Sequence, residues 1–279
     1  MRCTAASRLV ARSVAVVLLG LFTMVSVAAS YSGGELADPS RGPGADLSDF
    51  YAVVPWYKTP RFKDHKVTKL ILRYWDARGD YGKHHDRKNR RAEQKLRQAP
   101  GVLAFISQAY DATHIFEWRA RFDLTILVVD LRMQESLPLL LAFASKPALD
   151  PGRYDKYGPA AEDLLRQEKN YDERKVCQAV LGITQLAEDG SQAAQAALLQ
   201  FVNHDYEWVR IVAVQGYFNL CDGCERHVLD LYDVVSQENR WILDRHCEND
   251  EISKPDRYRE KWCKKLRIRL FGADPPVRE

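Results

Sequence analysis

The chain has 279 residues, 46% of them hydrophobic and 28% charged, which is ordinary for a globular protein and enough for one or two domains with a sizeable core. This excludes disorder as a description of the whole. The formal net charge of +3 rests on Arg2, Arg8 and Arg12; beyond the first 29 residues 38 basic side chains face 38 acidic ones, so bulk charge does not make the body a general polyanion binder.

At the N-terminus, the three arginines lead into an uncharged apolar run of 16 residues, Val14 to Ala29. The run ends in small residues and is shorter than the roughly 20 needed to cross a bilayer. It predicts a signal peptide over 1–29, cut before Ser30 with Val27 and Ala29 at the −3 and −1 positions. The expected destination is the periplasm or the exterior. The alternative is an uncleaved anchor, and only then is a membrane partner expected. Cys3 precedes the run, so it is not the cysteine that follows a lipoprotein signal.

Residues 30–63 read as a linker followed by an extended aromatic strap. Four glycines, two prolines and two serines lie between Ser32 and Ala45, a composition that buries too little apolar surface to offset its ordering entropy. The strap, DFYAVVPWYKTPRF, is interrupted by Pro55 and Pro60, which disfavour both a helix and a central strand. It is expected to lie on the body as an arm covering exposed core.

From residue 64 to 271 the spacing is helical throughout, which predicts an all-α domain: an α-solenoid or an irregular bundle of stacked antiparallel helix pairs. Val67, Leu70, Ile71, Tyr74 and Trp75 follow the i, i+3, i+4, i+7, i+8 rule, and Gly79 and Gly82 end that helix. Residues 86–98 are a strongly polar helix or loop. Pro100 suits the first turn of a helix reaching about residue 110. Thr113 is the expected N-cap of a helix running to about Met133. Pro138 lies in the first turn of the next helix, and proline-rich residues 147–160 are expected to be an inserted loop.

Further on, helical stretches alternate with short breaks: 161–169, 173–187, 191–203, 206–221, 225–236 and 239–248. The breaks fall at Asn170, Asp189-Gly190, His204-Asp205, Asp222-Gly223 and Gln237-Glu238. Shifting the segment from Ser191 by 33 residues sets Leu198 on Leu231, Phe201 on Val234, Val202 on Val235 and Val209 on Ile242. A single helix pair of this size cannot bury its apolar stripe alone, whereas stacked pairs can. A last helix is expected from Pro255 to Leu270, and residues 272–279 are expected to be a disordered tail.

Asp205-Tyr206-Glu207-Trp208-Val209-Arg210-Ile211-Val212-Ala213-Val214 resembles the start of the second helix of a HEAT repeat, with an acid, then Val-Arg, then small apolar residues. Ala197 to Val202 resembles the first helix. The likeness spans about residues 172–248. It departs in the next unit, where the family's arginine falls on Leu243. It implies a HEAT-like stack of helix pairs whose second helices line a concave side suited to partners. Those helices begin with Glu207-Trp208-Val209-Arg210 and Arg240-Trp241-Ile242-Leu243. Trp208, Arg210, Trp241 and Arg245 are therefore the candidate binding residues. Tryptophan and arginine dominate interfaces when exposed; the competing reading buries both tryptophans as inter-repeat core.

For chemistry, HExxH, GxSxG, GxxxxGK[ST] and EF-hand patterns are all missing from the sequence. Cys177 sits in an apolar helical pattern and reads as a buried free thiol. Cys221-x-x-Cys224, Cys247 and Cys263 are disulfide candidates, which export favours, with Cys247–Cys263 as the expected pair. With His227 and His246 the same residues could hold zinc, the less favoured reading, so no cofactor and no metal ligand set is expected. Lys83-His84-His85-Asp86 reads as a solvated loop.

Charge is segregated. Residues 58–98 hold 14 basic and 5 acidic side chains, and residues 100–253 hold 14 and 25. Intramolecular complementarity is the favoured explanation; contact with an anionic lipid, a cell-wall polymer or an acidic protein is the other. The expected function is that of an exported, non-enzymatic binding or scaffold protein with a protein or cell-envelope polymer as partner and no nucleic acid. A metal-dependent enzyme and a membrane-tethered structural protein are the alternatives.

Overall fold

The structure, a computed structural model, describes residues 48, 52–79, 85–145, 151–220 and 225–243. All belong to one compact unit; the other unit, residues 1–44 with 250–255, lies outside the described residues. The signal peptide, the linker, the Lys83-His84 pair, the last predicted helix and the tail likewise fall outside them.

The described residues form an all-α structure without strands. In chain order the α-helices are α1 (Lys66–Gly79), α2 (His85–Arg97), α3 (Val102–Asp111), α4 (Trp118–Leu131), α5 (Leu137–Ala144), α6 (Ala161–Glu188), α7 (Gln192–Leu198), α8 (Glu207–Asn219) and α9 (Glu225–Val234). Among them none is long and apolar enough to cross a membrane.

The 28-residue helix α6 is the spine: α4, α5, α7, α8 and the segment Pro151–Ala160 all pack on it. Its stripe of Val176, Ala179, Val180, Ile183 and Leu186 is buried, the spacing expected of a helix surrounded by partners. The predicted break at Asn170 does not occur. Asn170 is exposed, and neither glycine nor proline is present there to stop the helix. The polar run around it satisfies its buried charges instead. Glu168, 2% exposed, accepts hydrogen bonds from Arg153 Nη1 at 3.1 Å and from the Tyr154 hydroxyl. Lys175 pairs with Asp172 one turn away.

Several other boundaries differ from the sequence expectation. Residues 151–160 are not a bare loop but a 3-10 segment broken at Gly158, whose φ of 52° lies in the left-handed region. The segment inserts Tyr154 and Tyr157 beside Phe116, Trp118 and Leu164, forming a second, aromatic cluster. Helix α4 starts at Trp118, so Thr113 is not its N-cap. The Thr113 hydroxyl instead donates to Tyr110 O at 2.7 Å and accepts from Arg121 Nε at 2.8 Å. Helix α3 starts at Val102, after Gly101 with φ 69° rather than at Pro100. The strap is a 3-10 turn at Trp56–Lys58 followed by further turns, not an extended segment. It does cover the core: Trp56 and Phe62 are buried, and Trp56 meets Phe62, Trp75 and Phe105 edge-on at 5.6, 6.2 and 6.4 Å.

Close helix approach depends on two glycines. A Cβ on Gly216 of α8 would collide with Thr184 Oγ1 of α6 and lie 3.0 Å from Thr184 Cγ2. Thr184 is β-branched, and its hydroxyl is held by Val180 O at 3.0 Å, so it cannot swing away cheaply. Gly216→Ala should therefore lose about 1–3 kcal/mol in urea unfolding. Thr184→Ala in the same chain should recover most of that loss, giving a coupling of about 1 kcal/mol in the double-mutant cycle; additive losses would show that this contact does not set the helix separation.

Candidate partner-binding edge

The region from Ser191 onward is built from equivalent positions that stack. Ser191 caps α7, its hydroxyl accepting from Ala194 N at 3.3 Å. Of the pairs set together by a 33-residue shift, Leu198 and Leu231, Val202 and Val235, and Val209 and Ile242 are all buried. Phe201 and Val234 diverge: the first is buried and the second is 41% exposed.

Hydrogen bonds join residues about one unit apart. Asn203 Nδ2 donates to Val234 O at 2.8 Å, and Ser236 N donates to Asn203 Oδ1 at 2.8 Å. Tyr206 OH donates to Asp172 Oδ2 at 3.2 Å, and Gln195 Nε2 lies 2.9 Å from His227 Nε2. One turn is thus tied to the next unit's turn through a single asparagine, which meets both an otherwise unpaired carbonyl and an N–H at the end of a helix.

This tie leaves the starts of the second helices facing outward. Trp208 and Trp241 occupy equivalent positions and are 47% and 39% exposed. The structure therefore does not place them in the inter-repeat core. Among the described residues neither indole makes a ring contact with another side chain. Exposed acids, Asp205, Glu207, Asp233 and Glu238, lie beside these positions in the chain. The Trp208 N–H interacts with the Glu173 carboxylate across from α6, while burial raises the pKa of Glu173 against that interaction and against Lys169. An acid facing the N-terminus of α8 complements the helix dipole.

Arg210 does a different job from the one the sequence suggested. Its Nη1 donates to His204 O at 2.7 Å and to Asp205 O at 3.0 Å, closing the turn before α8 rather than extending to a partner. At the equivalent place Leu243 is fully buried, and Arg240 instead lays its guanidinium over Tyr232 at 4.2 Å. Arg245 lies outside the described residues.

Of the chemistry candidates, Cys177 is a free, buried thiol whose pKa is pushed up to about 12 by burial and, less so, by Glu173. Cys221, Cys224, Cys247 and Cys263 lie outside the described residues. His227 is buried, facing Gln195 and packed 4.6 Å from the Tyr217 ring. Among the described residues no three His, Cys, Asp or Glu side chains converge on a metal position. Comparison with protein-family models, with curated proteins and with solved structures gives no match.

Two outcomes follow from this geometry. Trp208→Ala and Trp241→Ala should each change unfolding free energy by no more than about 1 kcal/mol, whereas Trp56→Ala, which empties a fully buried site, should cost about 3–5 kcal/mol. In the native protein at pH 8, the Cys177 peptide should stay unmodified by iodoacetamide and become labelled on unfolding; labelling of the native thiol at the rate of a free cysteine would contradict its burial.

Proposed function

We propose that this chain is an exported, non-enzymatic binding or scaffold protein, with a HEAT-like stack of helix pairs that receives a protein or cell-envelope polymer. The observation that carries the reading is the exposure of Trp208 and Trp241 at equivalent positions of successive units. Two large apolar rings held half in water on helix starts gain from being covered, and tryptophan is the side chain most often found at the centre of binding hot spots. The acids around them favour a partner that brings cationic groups along with apolar surface. The regular tie through Asn203 supports a stack with a stable edge rather than a surface assembled only on binding.

The test compares the full chain with the double variant Trp208→Ala/Trp241→Ala, both immobilised at the C-terminus, for capture from the native cell envelope. A partner retained by the first and lost by the second, with unchanged circular dichroism and melting, is the expected result. Affinity for the identified partner should fall by at least about 30-fold, the effect of removing one hot-spot residue of about 2 kcal/mol. Equal capture by both proteins would overturn the reading.

A further inference from the structure

Helix α2 is difficult to explain as a purely structural element. Of its side chains, Leu96 is fully buried, while Arg87, Lys88, Arg90, Arg91, Lys95 and Arg97 are exposed. Several of these cations stand three or four residues apart, where like charges repel. Intramolecular pairing answers only part of the basic flank. Arg78 on α1 pairs with Asp130 of α4, which also accepts from the Tyr74 hydroxyl. Arg97 reaches Asp130 O at 3.3 Å and Glu93 at 2.6 Å. Among the described residues Arg73, Arg91 and Lys95 have no hydrogen-bond or ion-pair partner.

Those three residues line one groove. It lies between α1 and α2, has a volume of about 390 Å³, and is walled by Arg73, Lys88, Arg91 and Lys95 with Leu70, Ala77 and Ala92 supplying apolar surface. One acid, Asp76, also lines it, so the walls remain cationic. Lys88, Arg91 and Lys95 fall at i, i+3 and i+7, a single stripe roughly 10 Å long on α2.

We propose that this α1–α2 groove is a binding surface for the phosphate headgroups of an anionic phospholipid membrane, which the chain meets as a peripheral protein. Guanidinium groups pair with phosphate through two parallel donors, and lysine adds charge without demanding one geometry. The apolar patches among the cations suit the glycerol and first methylenes below a headgroup. Clusters of this many lysines and arginines on one helix are characteristic of attraction to anionic leaflets. An acidic protein fits less well, because lysine is depleted in protein interfaces. The proposal is independent of the tryptophan edge and of whether the apolar run Val14 to Ala29 is removed.

The test is co-sedimentation of the full chain with vesicles of phosphatidylcholine alone or with 30% phosphatidylglycerol. Binding that requires phosphatidylglycerol and is lost in 0.5 M salt is expected. An apolar run inserting on its own would bind both vesicle types equally. Arg91→Gln/Lys95→Gln, at two exposed positions, should weaken partition by about 30-fold, the effect of two cations near such a surface. Arg119→Gln/Lys169→Gln, away from the groove, should leave it unchanged. Equal loss in both double variants, or no difference between the vesicle types, would overturn the proposal. So would binding of soluble inorganic polyphosphate, or of a polyglutamate peptide standing for an acidic protein, with no binding to the vesicles.

Discussion

Where α6 crosses α4 and α5, a Cβ on Gly182 would sit 2.8 Å from Val129 Cγ2 and 3.0 Å from Leu140 Cδ1. Where α8 crosses α6, Gly216 leaves room for Thr184, one turn or less from that first contact in the sequence of α6. These two missing side chains let helices pack on different sides of one short stretch, and interior packing leaves little slack for either to be replaced. The remaining elements depend on that stretch. Val180 and Ile183 fill the space around it, and α7 follows directly from the helix end at Glu188. Because a 28-residue helix would be marginal alone in water, its stability has to come from the surfaces it covers.

The exposed edge follows from how successive units are tied. Asn203 bonds to both sides of the Val234–Ser236 turn, and Tyr206 bonds back to Asp172 on α6. These contacts hold the turns, and Arg210 closes the one before α8 from within. Nothing further is required of Trp208, whose neighbour Val209 supplies the buried contact. Adjacent residues on a helix start point about 100° apart, so burying Val209 turns Trp208 outward. The same step from Ile242 to Trp241 gives the second exposed ring.

Fold class and most helices were legible in the sequence because a 3.6-residue spacing leaves a direct record of what is buried. Val67, Ile71 and Tyr74 on α1, and Val202 with Val235 between units, are buried as that pattern implies. The misreadings come from residues whose local preference was overruled by distant partners. A polar run with Asn170 at its centre looks like a break unless Arg153 and Tyr154, 15 and 14 residues before Glu168, are known to neutralise a buried carboxylate. Thr113 has the chemistry of a cap but is spent on Tyr110 and Arg121. Within the candidate edge, the tryptophans were found by repeat position, whereas their exposure could not be read, since an aromatic at that register suits core and surface equally. The role of Arg210 was hidden for the same reason: its acceptors are main-chain carbonyls, which carry no signature in the sequence.

Charge segregation was plain in the composition, but its meaning depended on distance. Asp130 draws Tyr74, Arg78 and Arg97 together, so complementarity between the basic flank and α4 is real at one buried point. A carboxylate there is costly to desolvate, and burial raises the pKa of Asp130 even though Arg78 and both hydrogen bonds oppose the rise. Such a site can accept few cations, because each needs direct contact to offset its own desolvation. The cations facing the α1–α2 groove therefore cannot be explained by the acidic half of the protein as a diffuse counter-charge. Solvent screens exposed charges within about 10 Å at moderate salt, so acids that do not touch Arg73, Arg91 or Lys95 stabilise them little. The two halves of the charge pattern thus have separate physical roles: one fixes α1 to α4, and the other leaves a cationic surface whose field is directed to solvent.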